Sequence, residues 1–493
     1  MRDFFPAFIV IIPMTISLLA PLVGRISKVF LRLLTMFGFF LSVIFSAIVL
    51  RETLTVGNVY YNFGNWEAPY GIEYVIDPLG ATIAVMVSFI ALLIVIYSRE
   101  FFKDEGWLKN AAYYSLFGLM VTGLLGMTVS GDAFNLYVFL EISSLSTYAL
   151  IALGGPRGTV AAFKYLLIGT LGASLYLFSV AYLYGITGTL NFADMSERIL
   201  PLMDSPAMIL IVILLFLGLG IKMALFPLHM WLPDAHSYAP YPLSAFMSGV
   251  LIKVPAYVMI RYYFFIFDVN HAVLQNVLQI AGILAAIGIV YGSVMAIAQT
   301  EFKRMLAYSS VAGIGYVVMG MSMGNAYGMI GAVFHIFNHA FMKVALFFIA
   351  GGIKQKFDHI KIDEFKGLLK KMPVSMYSFL ILAFSMIGLP PTAGFFSKWY
   401  LVNGALQEGL WFFIVVIVVS SVLNAVYFFR IIEFAFLNKE EKERKCKIQS
   451  RFELPLSMLM PIVVMTLLVL ALGIFNADFV SAILTSVVPE VIK

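Results

Sequence analysis

The sequence predicts an all-α polytopic membrane protein. Three observations carry this reading. Of 493 residues, 61% are hydrophobic and 12% charged, whereas ordinary soluble domains hold about 25% charged residues. Apolar runs long enough to cross a hydrocarbon core of roughly 30 Å recur along the whole chain. The basic residues gather in alternate connections between these runs.

About fourteen spans follow, at roughly 4–24, 30–50, 76–98, 111–129, 132–153, 160–185, 205–227, 243–266, 273–298, 306–323, 327–350, 373–402, 409–436 and 454–475. The first begins almost at Met1. Arg2 and Asp3 make no basic leader region and no small-residue cleavage site follows, so it reads as a retained span. Connection 51–75, TLTVGNVYYNFGNWEAPYGIEYVID with its flanks, is rich in Tyr, Val, Asn and Gly and reads as a β-hairpin. Segment 354–371 mixes apolar and basic residues at near-helical spacing and reads as a helix lying along the inner surface. About 18 residues follow the last span. Connections bearing Arg25, Lys28 and Arg32, then Arg99, Lys103 and Lys109, Arg157 and Lys164, Lys303 and Arg304, Lys354 to Lys371, and Lys439 to Arg451 fall on one side. The positive-inside rule makes that side cytoplasmic, with both termini outside a cell (plasma) membrane.

The lone Cys446 excludes an internal disulfide, a Cys-ligated iron–sulfur cluster and a Cys-built zinc site. No phosphate loop, dinucleotide fingerprint or nucleophile elbow is present. The chain is therefore expected to bind no cofactor and no metal, and to run no redox or hydrolytic chemistry of its own. The net charge of +5 is spread over short loops and gives no argument for nucleic acid.

Chemistry-bearing residues sit inside the spans instead. A charge at the bilayer centre costs about 2.5–3.5 kcal/mol on insertion scales, so such residues usually line an internal hydrated path. Glu141 lies near the middle of the fifth span. Lys222 lies in the seventh, five residues before Pro227, and is its natural partner, because a nearby cation keeps a buried carboxylate ionised. Lys253 stands deep in the eighth span, beside Pro255. In FHIFNHAFMKVALFF, His335, His339 and Lys343 fall at i, i+4 and i+8 on one helix face, where histidines can pass protons along. Lys398 follows Pro390 and Pro391 in the twelfth span and repeats the pairing of lysine with a proline break. Interrupted helices in matching places of two halves point to a mid-membrane transport site. Breaks in the seventh and twelfth spans fit two five-helix units, spans 4–8 and 9–13. This divides the chain into 1–110, 111–266, 267–436 and 437–493. Asp234, His229 and His236 lie at the inner end of the seventh span, where a path would open, and Lys164 reads as an orientation signal.

The runs FLEISSL, GIKMALFPLHMWLPDAHSYAPYPLSAFMSGVLIK, EFKRMLAYSSVAGIGY, HIFNHAFMKVALFF and GLPPTAGFFSKWYL occur in order across spans 4–13. They resemble the antiporter-like subunits shared by respiratory complex I, Mrp cation/proton antiporters and membrane-bound hydrogenases. The DAHSYAP and SGVLIK wording is similar to hydrogenase-type or Mrp D-type members, and the short tail departs from the long lateral helix of the largest complex I subunit. The resemblance implies fourteen helices with two inverted five-helix repeats. It implies a regulatory pair of Glu141 and Lys222, a connecting Lys253, a central relay of His335, His339 and Lys343, and a distal proton site at Lys398. It also implies partners: other membrane subunits of a hydrogenase, an NADH dehydrogenase-like oxidoreductase or an Mrp antiporter, with protons as cargo and sodium open as a second ion. A stand-alone carrier of an organic solute is the competing reading, and a structural scaffold a third.

Overall fold

The computed structural model describes residues 4–358, 360–437 and 453–489. Cys446 and the basic stretch Lys439 to Arg451 lie outside the described residues. The N-terminal elements are α1 (Phe5–Ile26), α2 (Lys28–Thr55), strands β1 (Val59–Asn62) and β2 (Glu73–Ile76), and α3 (Pro78–Phe101). Next come α4 (Trp107–Val129), α5 (Ala133–Ala152), α6 (Pro156–Thr187), the short α7 (Phe192–Ile199), α8 (Pro206–Lys222), α9 (Trp231–Tyr238) and α10 (Tyr241–Ile266). The remainder is α11 (Ala272–Ile297), α12 (Phe302–Ser322), α13 (Ala326–Phe357), α14 (Pro373–Ile387), α15 (Ala393–Gln407), α16 (Trp411–Leu437) and α17 (Leu456–Ile474). Twelve of these, among the described residues, are long and apolar enough to cross a membrane.

Local chemistry sets where the helices begin. A short polar side chain, often followed by proline, takes up an orphan amide of the first turn. The Asp77 carboxylate accepts from Gly80 N at 2.8 Å with Pro78 opening α3, Asp132 accepts from Asn135 N at 2.7 Å, and Asn325 accepts from Gly328 N at 2.8 Å. Helices α10 and α13 are buried along their whole apolar length and form the centre. Helices α2, α6, α16 and α17 expose most of theirs. The exposed residues are Leu, Val and Phe, the surface a lipid tail covers without penalty.

Both interrupted helices are present. Helix α8 stops at Lys222, not at Pro227: Ala224 turns left-handed (φ 57°) and the indole of Trp231 donates to Ile221 O at 2.9 Å, tying the second half to the first. The break is therefore a turn that precedes the proline. In the second case α14 ends at Gly388 in the left-handed region (φ 96°), and α15 starts after Pro390 and Pro391.

Two expectations are revised. The hairpin is real, with Val59 opposite Ile76 and Asn62 opposite Glu73, but it is shorter than 51–75 because α2 runs on to Thr55. Residues 354–371 do not form one surface helix. Helix α13 continues to Phe357 and is ended by Asp358 in the left-handed region (φ 59°), after which come separate turns at Ile362–Phe365 and Leu368–Lys371. Lys361 instead bridges to Glu301, and Gly367 (φ 73°) keeps the two turns apart.

Candidate ion path

Glu141 and Lys222 come together from α5 and α8, Oε1 to Nζ 3.6 Å. Lys222 makes its hydrogen bonds one and two turns further along α5, to Ser144 Oγ at 2.7 Å and Tyr148 OH at 3.5 Å. The Glu141 oxygen nearest the lysine accepts no hydrogen bond. The contact is thus a charge pair held at arm's length, which a small movement of either helix tightens or releases. Lys222 is the last residue of its half-helix, where carbonyls left without amide partners favour a cation.

Lys253 follows directly on a π-helical turn, Met247–Leu251. The wide turn leaves the Ser248 carbonyl to accept from the Lys253 ammonium. The Ser248 hydroxyl shares a hydrogen bond with Ser310 of α12 at 2.8 Å. Next to it in sequence, Ser309 accepts from Lys343 of α13, whose ammonium also donates to Leu306 O at 2.9 Å. Lys253, Ser248, Ser310, Ser309 and Lys343 therefore form one buried polar file across three helices. No hydrogen bond among the described residues joins Lys222 to Lys253.

His335 and His339 stack with ring centroids 5.4 Å apart, as their spacing predicted. Gly313 makes room for His339, since a Cβ there would lie 2.1 Å from Nε2. His335 Nδ1 pairs with Ser397 Oγ at 3.1 Å, and the next residue, Lys398, points back across the second break. Its ammonium donates to Met386 O (3.2 Å), Ile387 O (2.8 Å) and Ser421 Oγ (2.8 Å). Lys398 thus meets the C-terminal carbonyls of α14, whereas Lys222, at the end of α8, bonds hydroxyls of α5. A cavity of about 10 Å³ joins the two sites, lined among others by Ser309, Tyr316, His335, Asn338, His339 and Lys398. That is on the order of one water. Neither nitrogen of His339 is hydrogen-bonded among the described residues, and His335 Nε2 is also free.

The sequence reading left out the serines. Ser248, Ser309, Ser310 and Ser397 carry the contacts next to the charged residues, and their only signal was that each falls within one of the motifs SGVLIK, EFKRMLAYSSVAGIGY and GLPPTAGFFSKWYL. It also set His236 beside the opening and not next to the lysines. On α9 this imidazole is fully buried, packs on Phe347 with ring centroids 5.1 Å apart, and has neither nitrogen hydrogen-bonded among the described residues. Lys253, Lys303 and Lys343 all lie within electrostatic reach of it. Two residues earlier, Asp234 holds Lys164 at 3.0 Å and Arg304 at 3.6 Å beside an open cavity of about 380 Å³. Lys164 is therefore an ion-pair partner as well as a basic residue near a helix start.

Residues 130–424 match the family described as NADH:quinone oxidoreductase/Mrp antiporter, TM, a stretch that holds every path residue from Glu141 to Lys398. The chain belongs to this family. Residues 62–109 also match the N-terminal region described as NADH-Ubiquinone oxidoreductase (complex I), chain 5. This antiporter-type protein is 47% identical to NADH-quinone oxidoreductase subunit N of Desulforudis audaxviator, over 99% of each chain. It is 30% identical to the D-type subunit of the Na(+)/H(+) antiporter of Alkalihalophilus pseudofirmus, covering 85% of this chain and 83% of that one. In three dimensions it superposes on a chain of an archaeal membrane-bound sulfane sulfur reductase complex with TM-score 0.90 and 26% identity, over 99% and 98% of the two chains. The family read from the five motifs is the family found. Identity runs higher to the complex I-type relative than to the Mrp D-type relative, although the motif wording suggested the reverse.

Proposed function

We propose that this antiporter-type protein moves protons, with sodium open as a second ion, along a mid-membrane file of Glu141, Lys222, Lys253, Lys343, His339, His335 and Lys398 inside a larger membrane complex. The observation that carries the reading is the buried file from Lys253 through Ser248, Ser310 and Ser309 to Lys343, continued by His335 and Ser397 to Lys398. Charges this deep need a use, because a scaffold would be more stable without them. Serine hydroxyls can both donate and accept, and the cavity of about 10 Å³ between Ser309, His339, His335 and Lys398 has room on the order of one water, the kind of group that proton hopping uses. In this reading Glu141 tunes Lys222 through their loose pair, and the break after Lys222 gives the lysine freedom to swing towards Lys253.

In this reading His236 is the inner inlet: it stands two residues from the Asp234 cluster, and neither ring nitrogen has a hydrogen-bond partner among the described residues, so the imidazole can take up and hand on a proton. Counting each broken pair as one span gives fourteen, with 111–266 and 267–436 as inverted repeats. Both termini lie outside the cell membrane, since the basic connections mark the inner side. The relatives named for NADH-quinone oxidoreductase and Na(+)/H(+) antiport support a multisubunit setting over the stand-alone carrier. Purification from native membranes with the co-purifying polypeptides, followed by liposome reconstitution, tests this. Ion movement that requires the partners and stops in Lys343→Ala supports the reading. Uptake of an organic solute by the isolated chain overturns it.

A further inference from the structure

The end of the bundle where α2 begins, α3 ends and α17 begins holds a second site, unrelated to the ion path. A cavity of about 130 Å³ opens there, with Arg32, Arg99 and Ser457 at its polar end and Leu33, Met36 and Ile96 along its wall. Helix direction orders the lining. Arg32 lies about one turn inside α2 and Arg99 in the last turn of α3, while Met36 and Ile96 lie a further turn towards the membrane centre. The pocket is therefore cationic near the surface and apolar below. It opens sideways onto Val29 and Leu33, which are 65% and 51% exposed on the face turned to the bilayer.

Three neighbouring lysines at this end are already engaged. Lys28 donates to Glu105 O at 2.6 Å, Lys103 pairs with Glu100 and Lys109 with Glu105. Arg32 uses one amino group on Phe102 O and Asn110 Oδ1, and its Nε is buried without a partner. Arg99 has no carboxylate within ion-pair distance among the described residues. Two guanidinium groups facing one pocket repel each other unless an anion lies between them; Arg99 offers a planar fork that matches phosphate oxygens two at a time, and Arg32 adds the amino group that its contacts to Phe102 O and Asn110 leave over. An inorganic anion satisfies the arginines and leaves the apolar wall bare. A ligand that fits both ends carries a phosphate with a net negative charge and an acyl chain.

We infer that Arg32, Arg99 and Ser457 bind the phosphate of an anionic phospholipid, with one acyl chain laid along Leu33, Met36 and Ile96. Basic pockets between membrane helices at the inner surface recognise lipid head groups by this chemistry. The site fixes α17 against α2 and α3 through a lipid.

The test uses the full complex in nanodiscs of phosphatidylcholine with or without phosphatidylglycerol, followed by detergent extraction and native mass spectrometry. Retention of phosphatidylglycerol on this chain, without retention of phosphatidylcholine, is expected. Arg32→Gln with Arg99→Gln should weaken retention about thirtyfold, the combined effect of two basic contacts. Arg99 is surface-exposed, so Arg99→Gln alone folds and should weaken retention several-fold, while Arg99→Lys keeps most of it. Equal retention in wild type and Arg99→Gln overturns the proposal, as does equal retention of phosphatidylcholine. Inorganic phosphate in phosphatidylcholine discs that protects the chain as well as phosphatidylglycerol also overturns it, since the ligand is then the ion alone.

Discussion

At the scale of single residues, the proposed ion path turns on partners that are incomplete. The 3.6 Å separation of Glu141 and Lys222 leaves a carboxylate oxygen unbonded inside the membrane. A purely structural pair would close to hydrogen-bond distance, because an unmet buried charge is expensive. Glu141→Gln and Lys222→Ala are each expected to lower coupled ion transport by about a hundredfold, the scale of losing a positioned proton-transfer group. Complex assembly should persist, and a pH-sensitive dye in proteoliposomes reads the rate; wild-type rates in either variant would count against the pair. His236→Gln keeps the volume of the imidazole and removes its proton exchange. It should slow transport while leaving thermal unfolding near wild type. If unfolding shifts and the rate per folded complex does not, His236 is a packing residue.

At the scale of elements, the end of α14 presents the Met386 and Ile387 carbonyls to the Lys398 ammonium, and close packing across the second break holds that arrangement. Gly394 opens α15 against the end of α14 so tightly that a Cβ would lie 1.7 Å from Ser385 O. Gly394→Ala must push the two halves apart, a cost of about 1–3 kcal/mol for overpacking. Lys398 then loses its contacts to Met386 O and Ile387 O. Both a lower unfolding midpoint and a loss of transport are expected, whereas Ala at Gly185 of α6, a helical position where nothing lies within 4 Å, should spare transport. A Gly394→Ala complex that pumps at the wild-type rate would mean that the carbonyl contacts of Lys398 are incidental.

At the scale of the whole molecule, the N-terminal helices are locked to the first repeat by one buried ion pair. Arg261 of α10 meets Asp77, the cap of α3, with two contacts of 2.6 Å, and donates to Tyr257 OH at 2.8 Å. Removing one partner leaves the other charge buried, so Asp77→Asn should cost about 3–5 kcal/mol. An apolar pair, Asp77→Leu with Arg261→Met, should recover much of that loss, because no charge is then stranded. Thermal unfolding of the purified complex measures both. Asparagine still caps α3, so a double variant as unstable as Asp77→Asn would mean that the stranded Arg261 charge is not the source of the loss. Since this pair lies away from the file, transport per folded complex should change little in either variant.

The sequence alone determined the class of the protein and its family, the approximate place of twelve long apolar helices and the presence of two interrupted ones, and it singled out the charged residues of the proposed path. These are readings of one segment against bilayer thickness or helical period, and they need no knowledge of neighbours: His335 and His339 stack because 3.6 residues make a turn. Tertiary structure alone decided what lies between those residues. A serine in a membrane helix usually donates to its own helix, as Ser310 does to Leu306 O, and nothing in its surroundings in sequence shows whether it also meets Ser248 sixty-two residues away. The orphan imidazole of His236, the Asp77 lock and the Arg32 and Arg99 pocket have the same origin. Each depends on how helices distant in sequence are rotated about their axes, and hydropathy is nearly blind to that rotation when a helix is buried on every side.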